Sequence, residues 1–202
     1  MATKEQIAKY SIEKAGRIQD WHFRMMDAAK YFGTWSKCLS RQIGAVIVED
    51  KTIISSGYNG PPRKVPECHT VPGLRNFIKA HGNRLDGKQI QLLGDKWGKQ
   101  CPRQILGLPS GTGLEYCIAG HAEANAIANA ARKGVEVKGA AMYCYCPLPC
   151  MGCSKMIIGA GIDVVFHIKG LDYDPVSRLM LDDAGVTTVG VSLEMMAKYE
   201  NR

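Results

Sequence analysis

The chain has 202 residues, of which 46% are hydrophobic and 22% are charged, and its formal net charge is +7. This length fits about one domain with room for an insertion, and the apolar content is sufficient for a buried core. No apolar run approaches ~18 residues, and the N-terminal segment lacks the apolar stretch of a secretory signal. We therefore expect neither a membrane span nor export.

The eight cysteines have two interpretations. They could form disulfides, but in a chain of this size without an export signal, reduced thiols and metal ligands are favoured. This predicts a cytoplasmic protein, either cellular or encoded by a virus and acting in the host cytoplasm. Residues 60–116 hold nine Lys and Arg against four Asp and Glu. This basic stretch indicates either a phosphate or nucleic-acid contact or an ordinary solvated surface.

The first elements in chain order are a helix and a hairpin. Residues 4–31 have a helical pattern with a break near Gly16 and an amphipathic second half. Residues 43–49 and 52–56 read as two strands joined by a two-residue turn at Asp50 and Lys51, which predicts an antiparallel hairpin.

The middle of the chain lacks a regular pattern. Residues 57–62 are rich in Gly, Asn and Pro, which predicts a loop. Residues 63–116 show no sustained periodicity, and we predict an insertion there with one helix at 73–81. Irregular segments of this length are uncommon, so the insertion is expected to carry function or a metal.

Helices and strands alternate after residue 120. We predict helices at 121–133, 150–160, 175–184 and 192–200, and strands at 139–146, 163–168 and 186–190. This alternation is typical of βαβ units with parallel pairing, to which the hairpin adds an antiparallel pair. The fold class is therefore α/β, a three-layer α/β/α arrangement with a mixed five-stranded sheet and helices on both faces.

Two motifs carry the chemistry. His121-Ala122-Glu123 opens one predicted helix, and Pro149-Cys150 with Cys153 opens another. One imidazole and two thiolates leave the fourth position of a tetrahedral zinc open for water, as in catalytic sites. Zinc lowers the pKa of such a water to roughly 7. Glu123 is free to carry protons.

Either motif alone is ambiguous, because a lone C-x-x-C could be a redox pair or half of a structural zinc site. The order H-x-E … P-C-x-x-C, with a βα unit between, is typical of zinc nucleobase deaminases. A structural zinc would instead call for a fourth protein ligand in place of Glu123.

Several segments extend this match: 36–48 (SKCLSRQIGAVIV), 55–62 (SSGYNGPP), 121–134, 141–162 and 164–166. Together they resemble the deoxycytidylate (dCMP) deaminase family of the cytidine deaminase superfamily, including its phage members. The resemblance implies zinc-dependent hydrolysis of dCMP to dUMP and ammonia, which supplies dUMP for thymidylate synthesis.

The resemblance also implies roles for individual residues. His121, Cys150 and Cys153 would hold zinc, and Glu123 would move protons to N3 and the leaving amine. The backbone near Ala122 and Pro149 would contact the cytosine edge. Asn59 would contact the sugar or phosphate, although an Asn here could simply accommodate a left-handed turn.

Some family members hold a second, structural zinc. Cys38, Cys68 and Cys117 lie in the corresponding regions, with His69 or Cys101 as the fourth ligand. The alternative is that these are small buried thiols.

Family members also form hexamers that dCTP with Mg²⁺ activates and dTTP inhibits. Arg132 falls where the family has an Arg near subunit contacts. An exposed Arg at a helix end, favoured by the dipole, is the simpler interpretation.

The chain departs from the family pattern at the approach to the cysteine pair. Leu148 stands where the family has Ser, and Cys144, Cys146 and Pro147 are unusual there. The phosphate ligands are not assigned. The basic candidates are Arg63, Lys64 and Arg103.

Other functions stay open at this point. The substrate could be a modified cytidine nucleotide, or a base in tRNA or single-stranded nucleic acid. A zinc-held binding module without activity is disfavoured by the intact Glu123.

Overall fold

The computed structural model describes residues 13–14, 17–109, 111–170 and 174–200. The chain divides into two compact units, the first comprising Met1–Trp35, Ile43–Tyr58 and His121–Arg202, and the second Ser36–Gln42 and Asn59–Gly120. Among the described residues, no helix has both the length and the apolar character needed to cross a bilayer.

The first unit is built on one five-stranded sheet. Its strands are β3 (Gly44–Glu49), β4 (Thr52–Tyr58), β5 (Ala141–Cys144), β6 (Val164–Ile168) and β7 (Thr187–Val191), in the order β4-β3-β5-β6-β7. β3 pairs antiparallel with β4 and with β5, whereas β5, β6 and β7 run parallel. The predicted mixed sheet of five strands is confirmed.

Helices cover both faces of this sheet. The helices of the first unit are α1 (Asp20–Gly33), α5 (Ala122–Lys133), α6 (Met151–Gly159), α7 (Pro175–Asp183) and α8 (Leu193–Glu200). Ala45 and Ile47 of β3 pack in a core with α5, α6 and α7, whereas Val46 and Val48 pack in a second core with α1 and α8. Successive residues of a strand point to opposite faces, so one apolar strand serves both cores. The predicted three-layer α/β/α fold is confirmed.

The predicted hairpin turn is also confirmed. Asp50 and Lys51 have φ of 46° and 61°, as a two-residue type I′ turn requires. β4 continues to Tyr58, two residues beyond the predicted end at residue 56. Gly57 and Tyr58 therefore belong to a strand and not to the predicted loop.

The predicted helix at 4–31 is wrong in its described first half. Glu13–Lys14 (β1) pairs antiparallel with Arg17–Ile18 (β2), and the helix begins only at Asp20. The predicted break at Gly16 lies outside the described residues, and glycine disfavours a continuous helix by about 1 kcal/mol. The part of the prediction at residues 4–12 lies outside the described residues.

The second unit is more helical than predicted. The predicted helix at 73–81 is confirmed as α2 (Val71–His81), and the unit also contains α3 (Gly87–Lys96) and α4 (Pro102–Ile105). α3 begins with a capping box in which Asp86 and Gln89 bond each other's backbone N–H groups. Phe77, Leu93 and Ile105 form a small core with half-buried partners that include Trp97 and Tyr116.

Candidate metal centre and active site

Both predicted motifs lie at helix N-termini in the first unit. His121 is the N-cap of α5, and Glu123 is the second residue of that helix. Cys150 is the N-cap of α6, and Cys153 follows one turn later. Unpaired N–H groups and the helix dipole favour negative charge at such positions, so both helix starts suit thiolates and a carboxylate.

Close packing against β4 positions the start of α5. A Cβ atom on Gly57 would lie 2.3 Å from the Ala126 nitrogen and 2.4 Å from the Ala122 oxygen, so only glycine allows this approach. The Asn125 side chain donates to the Tyr58 carbonyl at 2.8 Å, next to this contact. The first turn of α5 is therefore fixed directly on the strand.

Asp174 holds the start of α6. Its Oδ2 accepts from the Met151 backbone N–H at 2.7 Å, and its Oδ1 accepts from the Ser177 N–H at 3.2 Å. One carboxylate thus caps α6 and α7 together and fixes the turn that carries Cys150.

The Pro149 carbonyl faces buried hydroxyl groups. It accepts from Ser177 Oγ at 2.5 Å and from Ser154 Oγ at 3.4 Å. Both serines are fully buried. This carbonyl therefore already accepts hydrogen bonds from the protein. These bonds hold the backbone of the loop before Cys150.

The three predicted metal ligands come together. His121 Nδ1 lies 3.4 Å from Cys150 Sγ and 3.3 Å from Cys153 Sγ, and all three atoms lie within 4.8 Å of one another. In a tetrahedral zinc site, bond lengths of about 2.1 Å to nitrogen and 2.3 Å to sulfur separate nitrogen from sulfur by about 3.6 Å. The ligand atoms therefore fit a zinc ion with one position left open.

The hydrogen bond between the two thiols shifts their pKa values in opposite directions. The hydrogen bond from Cys153 lowers the pKa of Cys150 to about 4, with a further contribution from His121 and against the effect of burial. The same bond and burial raise the pKa of Cys153. One thiolate is thus formed before any metal binds.

Glu123 lies beside these ligands and is itself buried, with 4% of its surface exposed. Burial raises the pKa of its carboxyl group, while its own backbone N–H, His121 and the Cys146 thiol lower it. Cys146 Sγ donates to Glu123 Oε1 over 3.8 Å. A carboxyl group with a raised pKa in a dry site is suited to accept and return a proton near neutral pH.

Asn59 is buried in the second unit. Its side chain donates to the Arg41 carbonyl at 2.8 Å, and its own carbonyl accepts from Ser36 Oγ at 2.7 Å. Among the described residues, the non-glycine positions with positive φ are Asp50, Lys51 and Lys64. The interpretation of Asn59 as a left-handed turn residue is therefore wrong.

The cysteines predicted to hold a second zinc all lie in the second unit. Burial raises the pKa of Cys68 to about 11, and the charges of Cys38, Cys101 and Cys117 add to this effect. His69 Nε2 instead lies 3.2 Å from a Glu67 carboxylate oxygen. Within the described part of the chain, two groups have all their ligand atoms within 4.8 Å of one another. They are His121 with Cys150 and Cys153, and Glu123 with Cys144 and Cys146. The set predicted for the second zinc is not among them.

The remaining predicted residues are on the surface or only partly covered. Arg132 is exposed in the last turn of α5. Arg63 and Lys64 are exposed, and Arg103 is half-buried. The Nε atom of Arg103 is buried without a hydrogen-bond partner.

Sequence reasoning missed the groups that support the site. The sequence indicates only that Cys146 is unusual, and it assigns no role in the site to Asp174 or Ser177. Asp174-Pro175 is a typical helix start, with an N-cap side chain followed by Pro at the first helical position. This local pattern predicts that Asp174 caps α7. It does not predict that Asp174 also accepts from the Met151 N–H at the start of α6.

The architecture is shared with solved deaminases. The apo dCMP deaminase of cyanophage S-TIM5 matches with a TM-score of 0.56 and 20% identity, over 87% of this chain and 100% of that one. The same protein in complex with dCMP and dUMP matches with a TM-score of 0.56 and 22% identity, over 83% and 94%. This chain therefore shares its fold with the cyanophage dCMP deaminase.

Sequence comparison gives the family. The profile described as the cytidine and deoxycytidylate deaminase zinc-binding region matches residues 19–168. The deoxycytidylate deaminase of Saccharomyces cerevisiae is 29% identical over 83% of this chain and 43% of its own length. That of Enterobacteria phage T2 is 30% identical over 77% of this chain and 84% of its own. This chain belongs to the cytidine and deoxycytidylate deaminase zinc-binding family, although it spans about half the length of the two fungal relatives.

Proposed function

We propose that this protein catalyses the zinc-dependent hydrolytic deamination of dCMP to dUMP and ammonia, which supplies dUMP for thymidylate synthesis. The observation that carries the proposal is the open three-ligand set of His121, Cys150 and Cys153 with the buried Glu123 beside it. The deoxycytidylate deaminases among its relatives favour dCMP as the substrate.

The chemistry requires one group that both takes and gives protons. When bound, zinc lowers the pKa of a water to roughly 7. The carboxylate of Glu123 takes a proton from water and delivers it to N3 of cytosine as oxygen adds to C4. A second proton then passes through Glu123 to the exocyclic amine, the C4–N bond breaks, and ammonia leaves. Both protons taken from water pass to the substrate, so Glu123 is a carboxylate again at the end of the reaction.

Recognition of the base is assigned to the backbone around the two motifs. The buried Ala122 separates His121 from Glu123 at the start of α5, where N–H groups have no partner within the helix. We assign the cytosine edge to this turn and to the loop at Pro149. Bonds from buried serines to the Pro149 carbonyl hold this loop in place. Asn59 is assigned to the sugar or phosphate.

A second, structural zinc in the second unit is part of the proposal. We assign it to Cys38, Cys68, Cys101 and Cys117, because the charges of the other three thiols act on Cys68. Of the two candidates for the fourth ligand we prefer Cys101, since His69 pairs with Glu67. Metal analysis should give two zinc ions per chain, with loss of one in Cys101→Ser but not in His69→Ala. One zinc ion in the unsubstituted protein would contradict the assignment.

Regulation and assembly are proposed on the family resemblance. We propose a cytoplasmic hexamer that dCTP with Mg²⁺ activates and dTTP inhibits, with Arg132 near a subunit contact. Arg132 is exposed at the end of α5, as such a contact requires. Sedimentation with and without dCTP and Mg²⁺, for the unsubstituted protein and Arg132→Ala, tests this directly.

The substrate is tested with a panel of nucleotides. Zinc-replete protein is given dCMP, CMP, deoxycytidine, dCTP and dAMP, with and without dCTP and Mg²⁺, and ammonia release is measured. Turnover of dCMP above the others supports the proposal. No turnover of any of them overturns it and directs attention to a modified cytidine nucleotide or to a base in nucleic acid.

A further inference from the structure

Cys144 and Cys146 lie next to the catalytic carboxyl group, although neither belongs to the zinc-ligand set. Their sulfur atoms and a Glu123 oxygen all lie within 4.8 Å of one another, and all three residues are buried. Cys144 ends β5, and Cys146 follows two residues later, four residues before Cys150. The loop between the strand and the zinc ligands therefore turns a thiol toward Glu123.

The two thiols differ in their hydrogen bonds. Cys146 donates to Glu123 Oε1 over 3.8 Å, while Cys144 bonds to Cys146. Cys146 is therefore the thiol that bonds directly to the carboxylate, and Cys144 lies behind it. The thiol of Cys146 therefore engages one of the two carboxylate oxygens, Oε1.

We propose that Cys146 is a positioning residue for the deamination, whose thiol holds the Glu123 carboxylate in the orientation that proton transfer requires. This inference rests on the proposed deaminase function. The carboxylate of a buried Glu can still rotate about its side-chain bonds, and proton transfer needs the donor and acceptor within about 2.6–3.2 Å. The bond to Oε1 removes part of that freedom before substrate binds.

The expected effect follows from the share of catalysis that passes through Glu123. General acid–base catalysis contributes about 10²- to 10⁴-fold, and the thiol is one weak donor among several groups that orient the carboxylate. Cys146→Ala should therefore lower kcat by about tenfold, while KM for dCMP and the zinc content at the His121 site stay near their original values. Cys146→Ser keeps a hydrogen-bond donor, so its kcat should be at least about threefold higher than that of Cys146→Ala.

Cys144→Ala is the matched control, because it also removes one buried sulfur atom from the same cluster. It should keep kcat within about threefold, since Cys144 bonds to Cys146 and not to Glu123. If both variants lower kcat equally, the effect comes from loss of packing and the proposal is overturned.

A double-substitution cycle separates positioning from general damage. In the Glu123→Ala background no carboxylate remains to be oriented, so adding Cys146→Ala should leave the residual rate unchanged. A further tenfold fall in that background would show that Cys146 acts independently of Glu123, and would overturn the proposal. Absence of dCMP turnover by the unsubstituted protein would instead refute the proposed function, so the two failures are distinguishable.

Discussion

The contact between Gly57 and the first turn of α5 allows a quantitative prediction. A Cβ atom at residue 57 would lie 2.3 Å from the Ala126 nitrogen, about 1.1 Å short of ordinary contact at 3.4 Å. Both opposing atoms belong to backbone, so a side-chain rotation cannot relieve the overlap. Gly57→Ala must therefore move β4 and α5 apart by about 1 Å.

This displacement acts on the site, because α5 begins with His121 and Glu123. A misplacement of about 1 Å can cost about 10²-fold in rate, and overpacking costs about 1–3 kcal/mol in stability. We expect Gly57→Ala to lower kcat/KM for dCMP by about 100-fold and to weaken zinc binding. Ammonia release, zinc content and thermal unfolding measure the three effects.

The matched control is Gly159→Ala in α6, where no atom lies within 4 Å of the added Cβ. Alanine in a helix is favoured over glycine by about 0.5–1 kcal/mol, so this variant should keep full activity and be equally or more stable. If Gly57→Ala keeps kcat/KM within threefold of the original value, the account of how α5 is positioned is wrong.

Three further predictions concern the ligand turn and the thiols. Asp174→Ala removes the acceptor shared by α6 and α7, so zinc affinity, measured by competition with a chelator, should fall by about 10- to 100-fold. Unchanged affinity would show that Asp174 does not support the site. In metal-free protein, Cys150 is already a thiolate above its pKa of about 4, so its alkylation rate should vary little between pH 6 and 8. A tenfold rise per pH unit, as for an unperturbed thiol, would refute this. Bound zinc should block that alkylation, and protection is read by mass spectrometry of the modified peptide.

The metal site follows from the sequence because local rules determine it. H-x-E and C-x-x-C each occupy the first turn of a helix, where i and i+3 side chains share a side and N–H groups are unpaired. The parallel β-α-β order then brings the helix starts to one edge of the sheet. His121, Cys150 and Cys153 therefore come together as the two motifs in combination predict.

The second unit was less predictable because its helices bury few apolar residues. In α3 only Leu93 is buried, so this helix contributes little to a core. The stronger signals were the caps, Thr70 before α2 and Asp86 with Gln89 at α3. Capping patterns of this kind identify helix starts even where a small core leaves little periodicity.

The supporting groups could not be found from local patterns, since their partners are distant in the chain. Asp174 and Met151 are 23 residues apart, as are Cys146 and Glu123. Such contacts depend on how the strands are ordered and on which way a loop turns. In the sequence, Cys146 is recognisable only as a departure from the family pattern. In the structure, its thiol contacts the carboxylate of Glu123.

The most direct test of the central claim is ammonia release from dCMP by zinc-replete protein, measured in parallel with Glu123→Gln. The account predicts turnover by the unsubstituted protein and a loss of at least about 100-fold in the variant, with equal zinc content in both. Turnover that persists in Glu123→Gln, with zinc bound, would contradict the assignment of proton transfer to this carboxylate.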